Sequence, residues 1–241
     1  MTHASHTTLE RIVPDALEPE SATGRETLQL HLARYHFAAG QLHGGRVLDL
    51  ACGVGYGSVI LAEVPGVELV VGGDISIEAL QHASTHYHHP RVVFGCGDGA
   101  TWLRAGFFDA VVSLETIEHV AEPTQLLRQF ATLLRPGGML VASVPVTPSV
   151  DANPHHRSDF TTASLLELGE QAGFVPRAMF RQVQPYSIFR MLSRQEERTK
   201  DLRQGLLRYY ASHPGAAWRR LASTLRHGFT NRYLTVAWQK R

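Results

Sequence analysis

Short, almost wholly apolar runs alternate along the chain with longer segments whose apolar residues recur every three or four positions. RVLDLA (46–51), VELVVGGD (67–74), RVVFGCGD (91–98), FDAVVSLE (108–115), MLVASVP (139–145) and PRAMFRQVQ (176–184) read as strands. GSVILAEV, SIEALQHASTHY, PTQLLRQFATLL and TASLLELGEQAGF carry the helical period between them, with Ser76 placed as an N-cap and Pro136-Gly137-Gly138 as a stop. An earlier amphipathic helix is expected over Arg25–Leu42, ending near Gly44-Gly45. Strands that are apolar at nearly every position must be covered on both faces, which predicts an α/β fold around a parallel sheet. RYLTVAW (232–238) alternates and has aromatic ends, so it reads as a seventh strand. Residues 185–231 separate it from the sixth and contain the helical stretches SIFRMLSRQEERTKDLRQGLLRYY and AAWRRLASTL.

Composition bounds the class. With 241 residues, 44% hydrophobic and 19% charged, the chain suits one ordinary globular domain with a sizeable core. Residues 1–24 hold Pro14, Pro19 and Gly24 and keep no period, so they are expected to be an arm, loose or ordered by ligand, ahead of a single domain over 25–241. No apolar run reaches the roughly 18 residues of a membrane span, and no basic-then-apolar leader opens the chain. Two cysteines, Cys52 and Cys96, are too few for a disulfide scaffold or a cysteine-built metal site. A reduced, cytoplasmic setting is the expectation. Net charge is +1, but residues 185–241 carry 12 Lys/Arg against 3 Asp/Glu, while 1–184 carry 11 against 19. An acidic body thus bears a basic, helical insertion, read as a lid or a dimer contact. Contact with nucleic acid or anionic lipid is the alternative, and a solvated face over apolar packing the plainest one.

Candidate chemistry gathers where the strands end. In such sheets ligands bind at the carboxyl ends of the strands, and Asp49, Asp74, Asp98 and Glu115 all fall there. Gly53, Gly55 and Gly57 follow the first strand, a pattern that lets something approach the backbone closely. A dinucleotide pyrophosphate and the adenosyl-amino acid of S-adenosylmethionine are the two common occupants. An acid at position 49 would repel the first, and Ser58 stands where its fingerprint wants Gly or Ala. A sulfonium and an ammonium instead favour an acidic rim. Helix N-capping is the alternative for any one of these acids, but four in order outweigh it.

The ordered motifs V-L-D-L-A-C-G-V-G-Y-G, G-G-D-I-S, G-D-G, F-D-A-V-V-S-L-E-T-I-E-H-V and L-L-R-P-G-G-M-L, over about 45–184, resemble the class I S-adenosylmethionine-dependent methyltransferases. The lead-in E-R-I-V-P and H-L-A-R-Y-H-F-A resembles that of small bacterial enzymes of the ubiquinone and natural-product tailoring type. The resemblance implies a Rossmann-like, seven-stranded, mostly parallel sheet with helices on both faces and the helical insertion before the last strand. It implies S-adenosyl-L-methionine as cofactor, with Asp49, Ala51, Gly53, Gly55 and Tyr56 around its methionine part. Asp74 would hold both ribose hydroxyls, Ile75 would pack on adenine, Asp98 and Gly99 would reach the adenine end, and Leu114 and Glu115 would close the site. Tyr35 would border the cofactor and Arg11 would cover it, although an aromatic on a packed helix face explains Tyr35 equally well.

For the acceptor, the same resemblance puts His119 on the substrate side. N-P-H-H-R-S-D-F-T (153–161) lies on the roofing loop, but departs from the related Asn-Pro-aromatic-His pattern at His155 and Arg157. His119 and His156, or His155, are candidate bases, because imidazole titrates near neutrality; Asp159 and Thr161 are read as caps of the next helix. H-Y-H-H (86–89) reads as a helix end favoured by the dipole. No carboxylate–histidine metal cluster stands out in the sequence, so no metal is expected. The implied activity is methyl transfer to N or O of a small metabolite, such as a heteroaromatic or phenolic natural-product intermediate. Sugar or RNA methylation, a non-catalytic cofactor-binding module, and an NAD-dependent oxidoreductase are the alternatives.

Overall fold

The computed structural model describes residues 22–98, 103–150, 153, 155–185, 206–228 and 230–241. The elements run α1 (Ala22–Ala39), β1 (Gly45–Leu50), α2 (Tyr56–Ala62), β2 (Val67–Asp74), α3 (Ile77–His86), β3 (Val92–Cys96), β4 (Phe108–Leu114), α4 (Pro123–Leu133), β5 (Leu134–Pro145), α5 (Thr162–Gln171), β6 (Phe174–Pro185), α6 (Leu206–Ser212), α7 (Pro214–His227) and β7 (Thr230–Lys240). The expected alternation is present. The arm before residue 22 lies outside the described residues, as do Gly99 and positions 186–205.

One seven-stranded sheet runs β3-β2-β1-β4-β5-β7-β6, with β7 antiparallel to both neighbours and the other pairs parallel. The near-continuous apolar strands follow from two cores fed by alternate residues. Leu48, Val111 and Leu140 enter one core with Leu126, Leu127 and Phe130 of α4 and Leu165 of α5. Val47, Val112 and Val141 enter the other with Tyr35 and Ala38 of α1 and Leu61 and Ala62 of α2. By the same period, Asp49 points to the α1–α2 side.

Three boundaries differ from the sequence reading. Helix α1 begins at Ala22 and stops at Ala39, because Gly40 and Gln41 already turn, with Gly40 N–H donating to His36 O. Strand β5 starts at Leu134, five residues early, since Leu134 pairs with Phe108 before a register break leads to Met139 opposite Ala110. Thus Pro136-Gly137-Gly138 interrupts the strand ladder and does not precede it. The β6–β7 pairing is long, from Phe174 opposite Lys240 to Pro185 opposite Thr230. Within 185–231, α6 and α7 bear out the helical reading for the described part. Among the described residues no helix is long and apolar enough to cross a membrane.

Strand order reverses between β1, which leads outward through β2 to β3, and β4, which leads the other way. A crevice opens at the carboxyl ends of strands at such a switch point.

Candidate functional site

The turn after β1 forms the floor of this crevice. Ala51 stands at φ 62, a left-handed conformation that costs an L-residue about 1–2 kcal/mol. Cys52 N–H donates to Gly73 O and ties the turn to β2. The three glycines have different reasons. A Cβ on Gly53 would meet nothing within 4 Å, so its open face is where a ligand can come close. A Cβ on Gly55 would sit 2.7 Å from Ala83 Cβ and Phe94 Cζ, and one on Gly57 would run into the Tyr35 ring. At Gly55 and Gly57 the missing Cβ makes room for the protein's own side chains.

Asp49 lies beneath this turn, fully buried, and does not form part of an open rim. Its carboxylate accepts from Ser58 Oγ at 2.7 Å and from Tyr35 Oη at 3.3 and 3.4 Å. Burial raises its pKa to about 7; the Ser58 and Tyr35 hydrogen bonds pull it down, and the nearby Asp74 charge pushes it up. Burial likewise raises Tyr35, Cys52 and Tyr56 above their ordinary values, with the Asp49 charge as the next cause. Tyr35 is only 5% exposed; it packs under Gly57 and edge-on to Tyr56 at 5.8 Å, so it supports the turn from below.

Asp74 ends β2 at the lip of the crevice. Its Oδ2 accepts from Gly53 N–H at 2.9 Å and its Oδ1 from Ser76 N–H at 2.9 Å. These two hydrogen bonds fix the orientation of the carboxylate at the lip. Ser76, whose Oγ accepts from Ala79 N–H, is the cap of α3, so capping does not account for Asp74. Ile75 beside it is 68% exposed and Ile77 57%, so an apolar surface adjoins the carboxylate at the lip. Asp98 is exposed just beyond β3.

The far side of the crevice is the end of β4. Leu114 is buried, and Glu115 holds φ 52, the second left-handed non-glycine residue at a strand end. Strain of this kind concentrates at functional positions. Glu115 N–H donates to Ser143 O and Oγ, and Ser143 Oγ donates back to Glu115 Oε1 at 2.6 Å. The buried Arg34 places Nη1 3.6 Å from that same oxygen. Its Nε donates to Gln182 Oε1 at 2.7 Å, and its guanidinium lies over the Tyr233 ring at 4.2 Å. Neither Arg34 nor Ser143 stands out in the sequence. Arg34 precedes Tyr35 on α1 and reads locally as a surface residue; only docking of α1 against β6 and β7 buries it.

Past Glu115, a short 3-10 turn over Ile117–His119 faces the loop after β5. Glu118 O accepts from Arg157 N–H at 2.7 Å, drawing that loop in. His119 and His156 meet edge-on with ring centroids 4.8 Å apart, and the buried Glu118 joins them. His155 is exposed and does not enter this grouping. Thr161 caps α5 through a reciprocal box with Ser164. Asp159 does not cap that helix; its Oδ1 accepts from Ser149 N–H at 2.6 Å and Val150 N–H at 3.0 Å, closing the loop. The 86–89 histidines lie apart from the crevice, where His86 stacks on His82 and His89 Nε2 sits 3.2 Å from Glu63 Oε1.

Comparison with known proteins agrees with this geometry. Residues 48–142 match the family described as "Methyltransferase domain". A Mycolicibacterium smegmatis protein named "Probable S-adenosylmethionine-dependent methyltransferase" is 34% identical over 151 residues, covering 60% of this chain and 57% of that protein. An Aeromonas salmonicida protein named "Ubiquinone biosynthesis O-methyltransferase" is 31% identical over 162 residues, 58% of this chain and 67% of that one. The alignments with the mycobacterial relatives span about three fifths of those proteins' length. In fold, a crystal structure from Bacillus halodurans superposes with TM-score 0.67 at 19% identity, over 87% of this chain and 98% of that one.

Proposed function

Because the chain belongs to the class I S-adenosylmethionine-dependent methyltransferases, we propose that it binds that cofactor in the β1–β4 crevice and methylates an oxygen or nitrogen of a small acceptor. The observation that carries the reading is the Asp74 carboxylate, held by Gly53 and Ser76, between the open face of Gly53 and the exposed Ile75. That set suits a nucleoside: paired acceptors for a ribose diol, an apolar surface for a base, and bare backbone for the amino-acid tail. When bound, S-adenosylmethionine supplies a methyl group already activated on a sulfonium, so the protein's share is proximity, orientation and exclusion of water.

In this reading Asp98 and Gly99 reach the adenine end. Asp49, Ala51 and Tyr56 shape the wall behind the methionine part, with Tyr35 underneath. Leu114 and Glu115 close the crevice toward the acceptor, and the Arg34–Ser143 contacts hold Glu115 in its strained conformation. His119 and His156 face the acceptor and accept or relay its proton where it has one to lose. A phenolic or heteroaromatic metabolite fits the reading, and the name of the Aeromonas relative favours oxygen. The basic segment 185–231 is read as a lid or dimer contact; Trp218, Leu221 and Leu225 on α7 form an exposed apolar stripe that such a role would cover.

Calorimetry with S-adenosylmethionine, S-adenosylhomocysteine, NAD and NADP tests it. Micromolar binding of the first two alone supports the reading and justifies an acceptor screen with radiolabelled methyl donor. Binding of NAD in their place would sink it, and binding of the first two without turnover on any acceptor would leave a cofactor-binding module.

A further inference from the structure

We propose that the exposed apolar stripe of α7 docks on an anionic lipid surface, with the helix lying in the plane of the headgroups. The docking surface stands independently of the cofactor reading above. Trp218 is 68% exposed, Leu221 51% and Leu225 78%, while Ala216 is buried. At about 100° per residue, Ala216 stands roughly 140–200° around the helix from those three. Helix α7 therefore turns a small residue inward and its largest apolar residues outward, the reverse of a helix that serves only its own core. Its 14 residues reach about 21 Å, short of the roughly 30 Å hydrocarbon layer, so the helix lies on a bilayer and does not cross it.

Charge selects the occupant. From Leu202 to Arg241 the chain carries eight Lys/Arg and no Asp/Glu, and Arg219, Arg220 and Arg226 fall within α7. Arg219 is exposed directly after Trp218. Each cationic side chain near an anionic leaflet strengthens attachment by about fivefold. An indole suits the headgroup level, where its ring meets acyl chains and its N–H stays wet, and arginine stems reach back to the same level. Residues 1–184 carry 11 Lys/Arg against 19 Asp/Glu, so the surface that attracts α7 repels the body and orients the molecule.

Other occupants suit this face less well. A second copy offering the same face would set the arginines of α7 against one another, with no acid between Leu202 and Arg241 to pair them. A lid over the crevice needs the stripe turned inward. Pro214 opens α7, and His213 just before it stacks on Tyr209 of α6 at 4.6 Å, an elbow that holds the helix the other way round. A nucleic-acid backbone takes arginines but offers nothing apolar to Leu221 and Leu225. Topology places the docking face. Tyr233 pairs with Pro145 at the carboxyl end of β5, and Thr230 pairs with Pro185 at the end of β6. The segment bearing α7 thus leaves and re-enters the sheet at the edge where the crevice opens, and docking brings that edge to the lipid.

The test mixes the full chain with sucrose-loaded vesicles of phosphatidylcholine, alone or with an equal part of phosphatidylglycerol, and reads the pelleted fraction and tryptophan emission. The mixed vesicles should pellet the protein and shift its emission to shorter wavelength, and phosphatidylcholine alone should bind about 10–100-fold more weakly. Arg219→Gln should lower affinity about fivefold, and Trp218→Ser combined with Leu225→Ser about 10–100-fold with native circular dichroism. Trp218→Phe should keep most of the binding and lose the emission shift. Val93→Ser, at an exposed apolar residue of the edge strand β3, should change nothing. Failure to pellet with mixed vesicles, binding that survives the double change, or a shift that persists in Trp218→Phe overturns the proposal. So does a dimer in light scattering, or capture of a single-stranded RNA probe, that replaces vesicle binding and is lost in the double variant. Calorimetry with S-adenosylmethionine on the same sample separates the two readings. Vesicle binding without cofactor binding leaves the docking surface standing and fells the methyltransferase reading; the converse fells the docking surface alone.

Discussion

Replacing Asp49 with Asn tests the balance of forces under the glycine turn. Asp49 titrates near pH 7 in the folded protein against 3.8 as a free side chain. A raised carboxyl pKa means that the folded state binds the proton more tightly than the unfolded state does. Folding stability from this group is therefore complete below pH 3.8 and is lost as pH rises through 7. The displacement corresponds to on the order of 4 kcal/mol, from about 1.36 kcal/mol per pH unit. Asn is neutral at every pH and keeps one carbonyl oxygen to accept from Ser58 Oγ, with its amide facing Tyr35 Oη. Urea unfolding of both proteins from about pH 4 to 8.5 gives the difference directly, and other carboxylates cancel between them. Asp49→Asn should be equal to or less stable than the parent at about pH 4 and gain progressively above it, by up to about 4 kcal/mol at about pH 8. A difference independent of pH would show that Asp49 is already ionised when folded, and the argument from its burial would fail.

Asp74→Ala removes a carboxylate that would receive charge-assisted hydrogen bonds from a ribose diol, so cofactor affinity should drop about 10–100-fold by calorimetry; an unchanged Kd would take Asp74 out of the site. Gly57→Ala drives a methyl group into the Tyr35 ring and should cost about 1–3 kcal/mol in urea unfolding; a neutral result would mean that the ring swings aside freely. Ala51→Gly relieves a left-handed alanine and should raise stability by about 0.5–1 kcal/mol once the added chain entropy is counted. A destabilised Ala51→Gly would show that the β1 turn stores no strain at this residue.

The cues for the crevice between β1 and β4 are local: an acid stands at or near the end of each of the first four strands, and glycines crowd one turn. Asp49 and Tyr35 were found as residues but not as positions, since burial depends on how α1 lies across β1. Gly55 and Gly57 show the same limit: their missing side chains make room for Phe94, Ala83 and Tyr35, which are remote in sequence.

Sequence alone determined the alternation, the sheet class and the edge at which chemistry collects, because hydrophobic period and strand ends are properties of neighbouring residues. Only the tertiary structure decided which distant groups share a space. Arg34 meets Glu115 and Gln182 across 81 and 148 positions because α1 packs on β6. Glu118 and His119 meet His156 because β4 and β5 are sheet neighbours and their following loops converge. Such contacts arise from strand order and helix docking, which no local pattern encodes.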